Sequence, residues 1–417
     1  MHFFNYRGKK FYAEGVPVER IAKKVGTPVF IYSRKTLRRH YLAFDSAFKD
    51  VNHLICYSVK ANSNISVLKT FGGLGGGFDI VSAGELFRVI KSGGAPSKVV
   101  FSGVGKREDE IEYALKKNIL MFNVESPQEL RAIDRAAKKL KKKASAAIRV
   151  NPDVDPKTHP YISTGLKENK FGIETDEAVK EYVYAKNNLK NLKLIGVDCH
   201  IGSQITELAP FIDALKKTRE LVELLRKEGL GISYLNMGGG LGIAYKDEAP
   251  PHPSRYGEEV VKGTEGLDVT LIFEPGRNIA GNAGVLVTKV LYTKKGTLKN
   301  FIITDAAMND LPRPSLYGSY HAIKPVTAAD PKKGFITADV VGPVCESGDF
   351  LAKDREVPEV KPGELLAVMS AGAYCFSMSS NYNSRRRAAE VMVDGRDFFV
   401  IRKREELADL VRGEALA

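Results

Sequence analysis

Short apolar runs alternate with longer amphipathic segments along the middle of the chain. The apolar runs are typical of buried strands and lie near residues 52–59, 78–81, 98–102, 120–124, 145–150, 193–200, 232–237 and 269–274. Between most of them the pattern is helical, as in residues 82–92, 106–117, 126–142, 175–188 and 209–227. Repeated strand–helix units predict a parallel sheet. Eight of them over this length predict a closed (β/α)8 barrel, and therefore an α/β protein.

The pattern changes after about residue 283. Strand-like runs follow one another without helices between them, at residues 284–292, 301–304, 336–341, 364–369 and 391–401. They predict a separate, mostly antiparallel β domain. Short strand candidates at residues 3–6 and 29–32 are assigned to the same domain. The predicted division is a barrel at 33–282, with residues 1–32 and 283–417 forming the β domain.

Composition narrows the class of protein. The chain has 417 residues, 43% of them hydrophobic, which is enough for two cores. Its four cysteines are far apart and form no CxxC pair, so we expect neither a metal site nor a disulfide scaffold. No apolar run approaches the roughly 20 residues of a membrane span. The first residues lack the features of a signal peptide, and a cytoplasmic location is predicted.

The formal net charge of +13 raises the question of a nucleic-acid partner. Much of the excess is local, in residues 138–143 and 385–387, and the first of these runs ends a predicted helix, where cations suit the helix dipole. No basic stripe is interleaved with aromatic residues. We therefore predict no nucleic-acid partner, and interpret the charge as a solvated face or as attraction of an anionic substrate.

Polar groups recur where the predicted barrel strands end. They are Lys60, Asp79, Ser102, Glu125, Arg149, His200, Gly238, Gly239, Gly240 and Glu274. Each has a structural alternative: His200 could be a core histidine, Arg149 could form a structural ion pair, and the glycines could make only a tight turn. Because the strand ends of such a barrel share one face, the groups are expected to converge.

The chemical types are specific. A desolvated lysine such as Lys60 is a nucleophile towards a carbonyl. Three glycines after a strand, with Gly276 after the next strand, allow backbone N–H groups to approach a phosphate. The glycine-rich run at 72–77 precedes a strand and is interpreted as a loop, and no GxxxxGK[ST] motif is present. Together with Glu274, which would keep a pyridine nitrogen protonated, these groups predict pyridoxal 5'-phosphate as cofactor.

These residues carry a resemblance that extends over essentially the whole chain. The chain resembles the alanine-racemase-like, fold-type III class of pyridoxal-phosphate enzymes, and within that class the diaminopimelate decarboxylase family. The motifs that carry the resemblance are YSVKAN at 57–62, GFDIVS at 77–82, HPYISTG at 159–165, KFG at 170–172, HIGSQ at 200–204, GGG at 238–240, EPGR at 274–277, RPSLY at 313–317, CES at 345–347 and GAY at 372–374.

The resemblance implies roles around the cofactor. Lys60 would bind it covalently, His200 would stack on the ring, and Glu274 would partner the pyridine nitrogen. Asp79 would support the ring or Lys60 from behind. The residues implied around the phosphate are Ser203, Gly238, Gly239, Gly240, Gly276, Arg277 and Tyr374.

The resemblance also implies a substrate side. Cys345 would donate a proton to the carbanion left after carbon dioxide departs. The residues implied in substrate binding are Arg277, Arg313, Tyr317, Glu346 and Tyr374. Cys345 and Glu346 would reach into the site of a partner subunit, so a homodimer with shared active sites is expected.

The implied reaction is decarboxylation of meso-2,6-diaminopimelate to L-lysine, the last step of lysine biosynthesis. Its distal ammonium and carboxylate need opposite charges side by side, which Glu346 and Arg313 supply. The alternative is a decarboxylase of another basic amino acid or a carboxylated polyamine, of ornithine, arginine or carboxynorspermidine type. A racemase has no use for the CES motif, and non-catalytic cofactor-carrying barrels lack the second domain.

Two positions depart from the family pattern. Ser58 stands where the family often has Ala, and Arg386 stands where it often has Pro. Neither is expected to touch an implied role.

Overall fold

The computed structural model describes residues 2–156, 158, 164, 169–329 and 334–417. These form two compact units. The barrel unit comprises residues 40–243 and 249–278, and the β unit comprises residues 1–39, 244–248 and 279–417. The division predicted from the sequence stays a prediction. Of the HPYISTG motif at 159–165, only Thr164 is among the described residues.

The strands, in chain order, are β1 (Phe4–Arg7), β2 (Lys10–Ala13), β3 (Val16–Pro17), β4 (Val29–Ser33), β5 (His53–Ser58), β6 (Gly77–Ile80), β7 (Val99–Phe101), β8 (Met121–Val124), β9 (Ala144–Asn151), β10 (Ile173–Glu174), β11 (Leu192–Cys199), β12 (Tyr234–Asn236), β13 (Thr270–Phe273), β14 (Gly284–Lys295), β15 (Asn300–Thr304), β16 (Ile323–Pro325), β17 (Phe335–Val341), β18 (Phe350–Pro358), β19 (Leu365–Val368), β20 (Ala389–Asp394) and β21 (Asp397–Arg402).

The helices are α1 (Val18–Val25), α2 (Arg34–Asp45), α3 (Ile65–Gly72), α4 (Ala83–Lys91), α5 (Glu108–Lys117), α6 (Pro127–Lys139), α7 (Thr175–Asn188), α8 (Ala209–Lys227), α9 (Pro253–Gly263), α10 (Arg277–Ala280), α11 (Arg313–Tyr317) and α12 (Leu407–Leu410). Among the described residues, no helix is both long enough and apolar enough to cross a membrane.

The barrel unit is a closed parallel sheet. Its strands pair in the order β5, β6, β7, β8, β9, β11, β12 and β13, and β13 pairs with β5 to close the ring, while β10 extends the end of β9. Cys56, Val100, Met121, Ala147 and Ile272 form a buried apolar layer inside it. Because both faces of these strands are buried, their sequences are nearly continuous apolar runs. The (β/α)8 barrel expected from the sequence is confirmed.

Local signals fix where the barrel helices begin. Ser126 accepts a hydrogen bond from the backbone N–H of Glu129 at 3.2 Å and Pro127 occupies the first position of α6. Ser82 caps α4 in the same way, through the N–H of Glu85. Caps of this kind restrict the backbone between strands β6 and β8 and the helices that follow them. Side chains at the strand ends are therefore held in defined positions.

The β unit has a different organisation. Its main sheet runs in the order β18, β17, β15, β14, β4, β20 and β21, while β19 pairs with β14 and β16. Most pairs are antiparallel, but β15 with β17 and β4 with β20 are parallel. The strand predicted at residues 391–401 is two strands, β20 and β21, joined at Asp394-Gly395, where Gly395 has a φ of +65°. A left-handed turn residue of this kind favours glycine.

The N-terminal segment contributes two separate pieces to the β unit. Strands β1, β2 and β3 form a small antiparallel sheet of their own. Strand β4 lies in the main sheet between β14 and β20. Buried Phe4, Val16, Val29, Val287 and Val391 belong to one hydrophobic core that joins both sheets. The first strands are therefore structural parts of this unit.

Candidate active site

Lys60 lies in a single 3₁₀ turn, Val59–Ala61, directly after strand β5. Its Nζ is 2.7 Å from Oδ2 of Asp79, which is on the neighbouring strand β6. The Lys60 side chain is 37% exposed, whereas that of Asp79 is fully buried. The carboxylate is thus fixed in the barrel wall while the amine remains accessible. Lys60 is therefore not desolvated, contrary to the expectation from the sequence, but its amine is accessible to a carbonyl compound.

Ser58 takes part in the same cluster. Its Oγ lies 2.8 Å from Oδ2 of Asp79 and 2.9 Å from the backbone oxygen of Glu274. The hydroxyl has one proton, and the carboxylate is the stronger acceptor. The expectation that Ser58 touches none of the implied site residues is therefore wrong. Arg386, the other departure from the family pattern, is exposed.

Glu274 follows strand β13 and is buried. Two amides donate to its Oε1, Nδ2 of Asn123 at 3.0 Å and Nδ2 of Asn236 at 2.6 Å. Burial raises the pKa of Glu274 well above its ordinary value, and the negative charges of Asp79 and Asp198 add to the effect. A protonated ring nitrogen facing this carboxyl group would offset both contributions.

Asn236 also connects Glu274 to the glycine turn. Its Oδ1 accepts a hydrogen bond from the N–H of Gly238 at 2.9 Å, and an N–H can only donate, so the amide orientation is fixed. The backbone N–H of Glu274 donates in turn to the oxygen of Gly238 at 2.7 Å. The glycine turn and Glu274 are thus hydrogen-bonded to each other, both directly and through Asn236. A cofactor lying between them would have both of its ends next to one connected group of residues.

The turn Gly238–Gly239–Gly240 requires glycine for different reasons at each position. Gly238 and Gly240 have φ angles of +62° and +123°. A Cβ on Gly239 would lie 2.3 Å from the backbone oxygen of Glu274. The N–H groups of Gly238 and Gly239 already donate to Asn236 and His200. Phosphate binding by this turn stays a prediction, and it depends most on Gly240 and on the side chains nearby.

His200 follows strand β11, and its Nδ1 accepts a hydrogen bond from the N–H of Gly239 at 3.1 Å. The neutral ring then carries its proton on Nε2. Burial, followed by the positive charges of Arg149 and Lys60, lowers the pKa of His200 well below its ordinary value. The ring is therefore neutral, which suits the predicted stacking on a flat heterocycle.

Arg149 is buried on strand β9 and forms an ion pair with Glu125, Nη1 to Oε1, at 2.8 Å. Its guanidinium lies over the ring of Phe171, 4.9 Å from the centroid, and Nη2 donates to the backbone oxygen of His200 at 3.2 Å. Glu125 Oε2 accepts from the N–H of Gly172 at 2.9 Å. Arg149 thus forms a structural ion pair that also supports the backbone of His200.

Three further polar groups of the barrel unit lie near these residues in the chain or contact them. Arg277 begins helix α10 and is buried, and its Nη2 lies 3.1 Å from Oγ of Ser203. Ser102 Oγ accepts a hydrogen bond from Nδ2 of Asn123 at 3.0 Å. Because the same amide also donates to Glu274, Ser102 supports Glu274 indirectly. Asp198 on strand β11, which the sequence did not single out, is buried, and burial raises its pKa to about 7.

In the β unit, Arg313 begins the short helix α11 and is 5% exposed. Its Nη1 donates to the hydroxyl of Tyr245 at 2.8 Å and its Nη2 to Oγ of Ser319 at 3.2 Å. Nε is buried without a hydrogen-bond partner among the described residues. No carboxylate of the described chain lies within ion-pair distance of it. A buried cation with neutral partners favours an anionic ligand.

Cys345 and Glu346 lie in an exposed turn between strands β17 and β18. Two neighbouring residues hold this turn. Oδ1 of Asn383 accepts from the N–H of Cys345 at 2.9 Å, and the hydroxyl of Tyr382 donates to Oε2 of Glu346 at 2.8 Å. The hydrogen bond to Glu346 raises the pKa of Tyr382, which keeps the phenol protonated as a donor.

Tyr317 at the end of α11 and Tyr374 are both half-buried. Tyr374 has a φ of +57° and follows Gly372, whose Cβ would lie 1.9 Å from the backbone oxygen of Ala280. The GAY motif thus requires its glycine for a close backbone contact. The structure places Lys60, Asp79, His200, Ser203, the glycine turn, Glu274 and Arg277 in the barrel unit, and Arg313, Tyr317, Cys345, Glu346 and Tyr374 in the β unit.

Several residues at these sites were not predicted. Asn123 and Asn236 lie inside apolar strands, where a single amide gives no distinctive signal. Tyr382 and Asn383 follow the GAY motif closely in sequence, and the left-handed φ of +55° at Asn383 suits asparagine. Spacing alone did not indicate that they contact the CES turn.

The barrel, its accessible lysine and its buried carboxyl group are the features expected of a pyridoxal-phosphate enzyme of the (β/α)8 type. The residues fit the cofactor, since Asp79 Oδ1 is a buried oxygen that has no hydrogen-bond partner within the described part of the chain, and Glu274 favours a cationic neighbour. Residues 34–281 match the family described as "Pyridoxal-dependent decarboxylase, pyridoxal binding domain". The chain belongs to this family of decarboxylases, and pyridoxal 5'-phosphate is its cofactor.

Similar proteins of known name indicate which decarboxylases this chain resembles. The chain is 55% identical to a diaminopimelate decarboxylase of Vibrio cholerae, with 98% of each chain covered. It is 53% identical to that of Pseudomonas aeruginosa, covering 100% of this chain and 99% of the relative. Among solved structures, the diaminopimelate decarboxylase of Helicobacter pylori complexed with L-lysine is 44% identical, with a TM-score of 0.91 and coverage of 95% and 98%.

Proposed function

We propose that this enzyme decarboxylates meso-2,6-diaminopimelate, releasing carbon dioxide and L-lysine in the last step of lysine biosynthesis. The relatives that share more than half of its residues carry that name over nearly their full length. The observation that carries the proposal within the molecule is Arg313, a buried guanidinium whose hydrogen-bond partners are neutral. Ornithine and arginine have no carboxylate at the distal end to place there.

The proposed division of labour follows the chemistry of the substrate. Its distal carboxylate would bind Arg313, and its distal ammonium would bind the carboxylate of Glu346. Tyr317 and Tyr374 would line the same binding site, and Arg277 would contribute to both substrate and phosphate. The exposed Glu346 is a good ligand only once the substrate or another chain covers it, because exposed ion pairs contribute little.

In the barrel unit, the cofactor supplies an electron-withdrawing ring that stabilises the carbanion left when carbon dioxide departs. Lys60 would hold the cofactor, Glu274 would keep its ring nitrogen protonated, and neutral His200 would cover one face. The Cys345 thiol would then transfer its proton to the carbanion carbon, and the thiolate would be reprotonated from solvent.

We further propose that the active enzyme is a homodimer with shared sites. Cys345 and Glu346 are exposed in the single chain, although the proposed chemistry needs both beside a substrate shielded from water. A two-fold partner that covered this turn would complete two sites at once. The cytoplasmic location also stays a prediction.

The proposal is tested by carbon dioxide release from the cofactor-loaded protein over a panel of amino acids. The panel contains meso-diaminopimelate, its LL isomer, lysine, ornithine, arginine and carboxynorspermidine. We expect meso-diaminopimelate to be the preferred substrate by at least about 100-fold in kcat/KM, the upper range of one charge-assisted interaction. A preference for ornithine, arginine or the polyamine would establish the alternative decarboxylase instead.

A further inference from the structure

His321 is fully buried in the β unit and is not among the residues that the family resemblance implicated. Its Nε2 lies 3.2 Å from Nη1 of Arg313, and its Nδ1 lies 2.8 Å from the backbone oxygen of Met369. Both nitrogens of the ring therefore have a polar neighbour. The question is which of them carries the proton.

The two neighbours answer it. The carbonyl of Met369 can only accept, so Nδ1 of His321 must donate. The guanidinium of Arg313 can only donate, so Nε2 of His321 must be the acceptor. The two contacts together select one neutral tautomer. A second ring proton would point directly at a guanidinium N–H.

This tautomer has a consequence for Arg313. Nη1 is held between Nε2 of His321 and the hydroxyl of Tyr245, while Ser319 accepts from Nη2. The guanidinium of Arg313 also lies over the ring of Tyr245, with Cζ of Arg313 at 4.8 Å from the ring centroid. The planar group is thus fixed in orientation by three neutral acceptors, and its buried Nε–H is left without a protein partner among the described residues.

We propose that His321 is a positioning residue that sets the enzyme's selectivity for a substrate carrying a distal carboxylate. It acts through Arg313, by occupying Nη1 with a neutral acceptor and thereby aiming the rest of the guanidinium at the ligand. This inference rests on the proposed function, because it assumes that Arg313 binds the distal carboxylate.

The experiment compares His321→Leu with the conservative variant His321→Gln in the cofactor-loaded enzyme. A glutamine can offer its oxygen to Arg313 and its amide N–H to Met369, whereas leucine can do neither. The ligands are meso-diaminopimelate, L-lysine and cadaverine. Lysine retains the distal carboxylate after the reaction, and cadaverine has none.

For His321→Leu we expect KM for meso-diaminopimelate and the inhibition constant of lysine to rise by roughly tenfold, the effect of one lost hydrogen bond to a charged group. The inhibition constant of cadaverine and kcat should change by less than about threefold, which is within the effect of a weak contact. His321→Gln should recover most of the loss. If His321→Leu does not fold, His321→Asn, which is too short to bridge both partners, serves the same comparison.

Equal losses for lysine and cadaverine would overturn the inference, and so would a fall in kcat alone. The double variant Arg313→Ala/His321→Leu should bind lysine no more weakly than Arg313→Ala, since His321 acts through Arg313. Independent losses that add would also contradict it. Failure of the proposed function is separate, because then Arg313→Ala itself would leave the wild-type preference for lysine over cadaverine unchanged.

Discussion

The centre of the barrel unit and the Cys345–Glu346 turn of the β unit are organised in opposite ways. In the barrel, Glu274 and Asp79 are buried and each accepts two or more hydrogen bonds, from Asn123, Asn236, Ser58 or Lys60. In the turn, both candidate groups are exposed, and the bonds that hold them come from one neighbouring segment. The contrast indicates that the candidate cofactor-binding groups of the barrel unit are preorganised within one chain, whereas Cys345 and Glu346 of the β unit are left exposed.

Holding buried carboxyl groups with fixed hydrogen-bond donors, as in the barrel unit, has a physical advantage. Fixed donors around a buried carboxyl group need no rearrangement when charge changes nearby, so they contribute fully to a transition state. An exposed thiol and carboxylate are solvated, and water screens them. The exposed turn would gain the same advantage only when another surface covers it.

The largest expected effect comes from two variants that each remove one candidate group, Lys60 of the barrel unit or Cys345 of the β unit. Lys60→Ala and Cys345→Ala homodimers should each lose at least about 1,000-fold in kcat, the scale of losing a nucleophile or a proton donor. If the sites are shared, mixing the variants with subunit exchange should restore about a quarter of wild-type activity, because half the dimers then carry one intact site.

The control for this experiment is a mixture of Lys60→Ala with Lys91→Ala, an exposed lysine in helix α4 outside the proposed roles. That mixture should simply follow the fraction of Lys91→Ala subunits. If demonstrated exchange between Lys60→Ala and Cys345→Ala restores no activity, Cys345 acts in its own chain or has no part in the reaction.

The comparison also shows how far sequence reasoning reached. The barrel strands were predicted because strands buried on both faces are continuous apolar runs, and the structure places all eight predicted strands in the ring. Strand β18 was not predicted, since the central stretch of Phe350–Pro358 is charged and mostly exposed. The single strand predicted at residues 391–401 was wrong because Asp394-Gly395, a strong turn signal, was passed over.

Some residues of the candidate site could likewise be predicted from the sequence, and others could not. Candidate reactive groups such as Lys60 and Glu274 stand out at strand ends, where polar residues interrupt apolar runs. The groups that hold them do not, because Asn123, Asn236 and Ser58 are small polar residues whose partners lie far away in sequence. Asn123 and Glu274, for instance, are 151 positions apart. Such contacts depend on barrel closure, which a local pattern cannot specify.

A second prediction tests preorganisation inside the barrel with a matched pair of variants. Asn123→Leu and Asn236→Leu each remove one donor from Oε1 of Glu274, and leucine is close to asparagine in size. Each should lower kcat roughly tenfold or more, since an unsatisfied buried carboxylate costs about 1–3 kcal/mol. Only Asn236→Leu should also weaken cofactor affinity, because only Asn236 holds the N–H of Gly238.

Cofactor affinity is measured by titrating the stripped variants with pyridoxal 5'-phosphate, and kcat is measured at saturating cofactor. Thermal unfolding of each variant separates these effects from a general loss of stability. Equal loss of cofactor affinity in both variants would mean that Asn236 does not link Glu274 to the glycine turn.

The smallest expected effect concerns the exposed turn. Tyr382→Phe removes the hydroxyl that donates to Oε2 of Glu346 but keeps the ring. Because the contact is exposed in the single chain, its loss should cost only about 0.5–1.5 kcal/mol, or roughly a threefold to tenfold rise in KM for meso-diaminopimelate. The value of kcat should stay within about twofold, since the role proposed for Glu346 is substrate binding and not proton transfer. Tyr292→Phe, at a tyrosine that is 67% exposed on strand β14, is the matched control and should change neither constant.

If a dimer partner covers the Cys345–Glu346 turn, the loss caused by Tyr382→Phe should lie at the upper end of that range, because a buried carboxylate left without its donor costs more than an exposed one. A fall in kcat with unchanged KM would instead assign Tyr382 to the proton-transfer step beside Cys345.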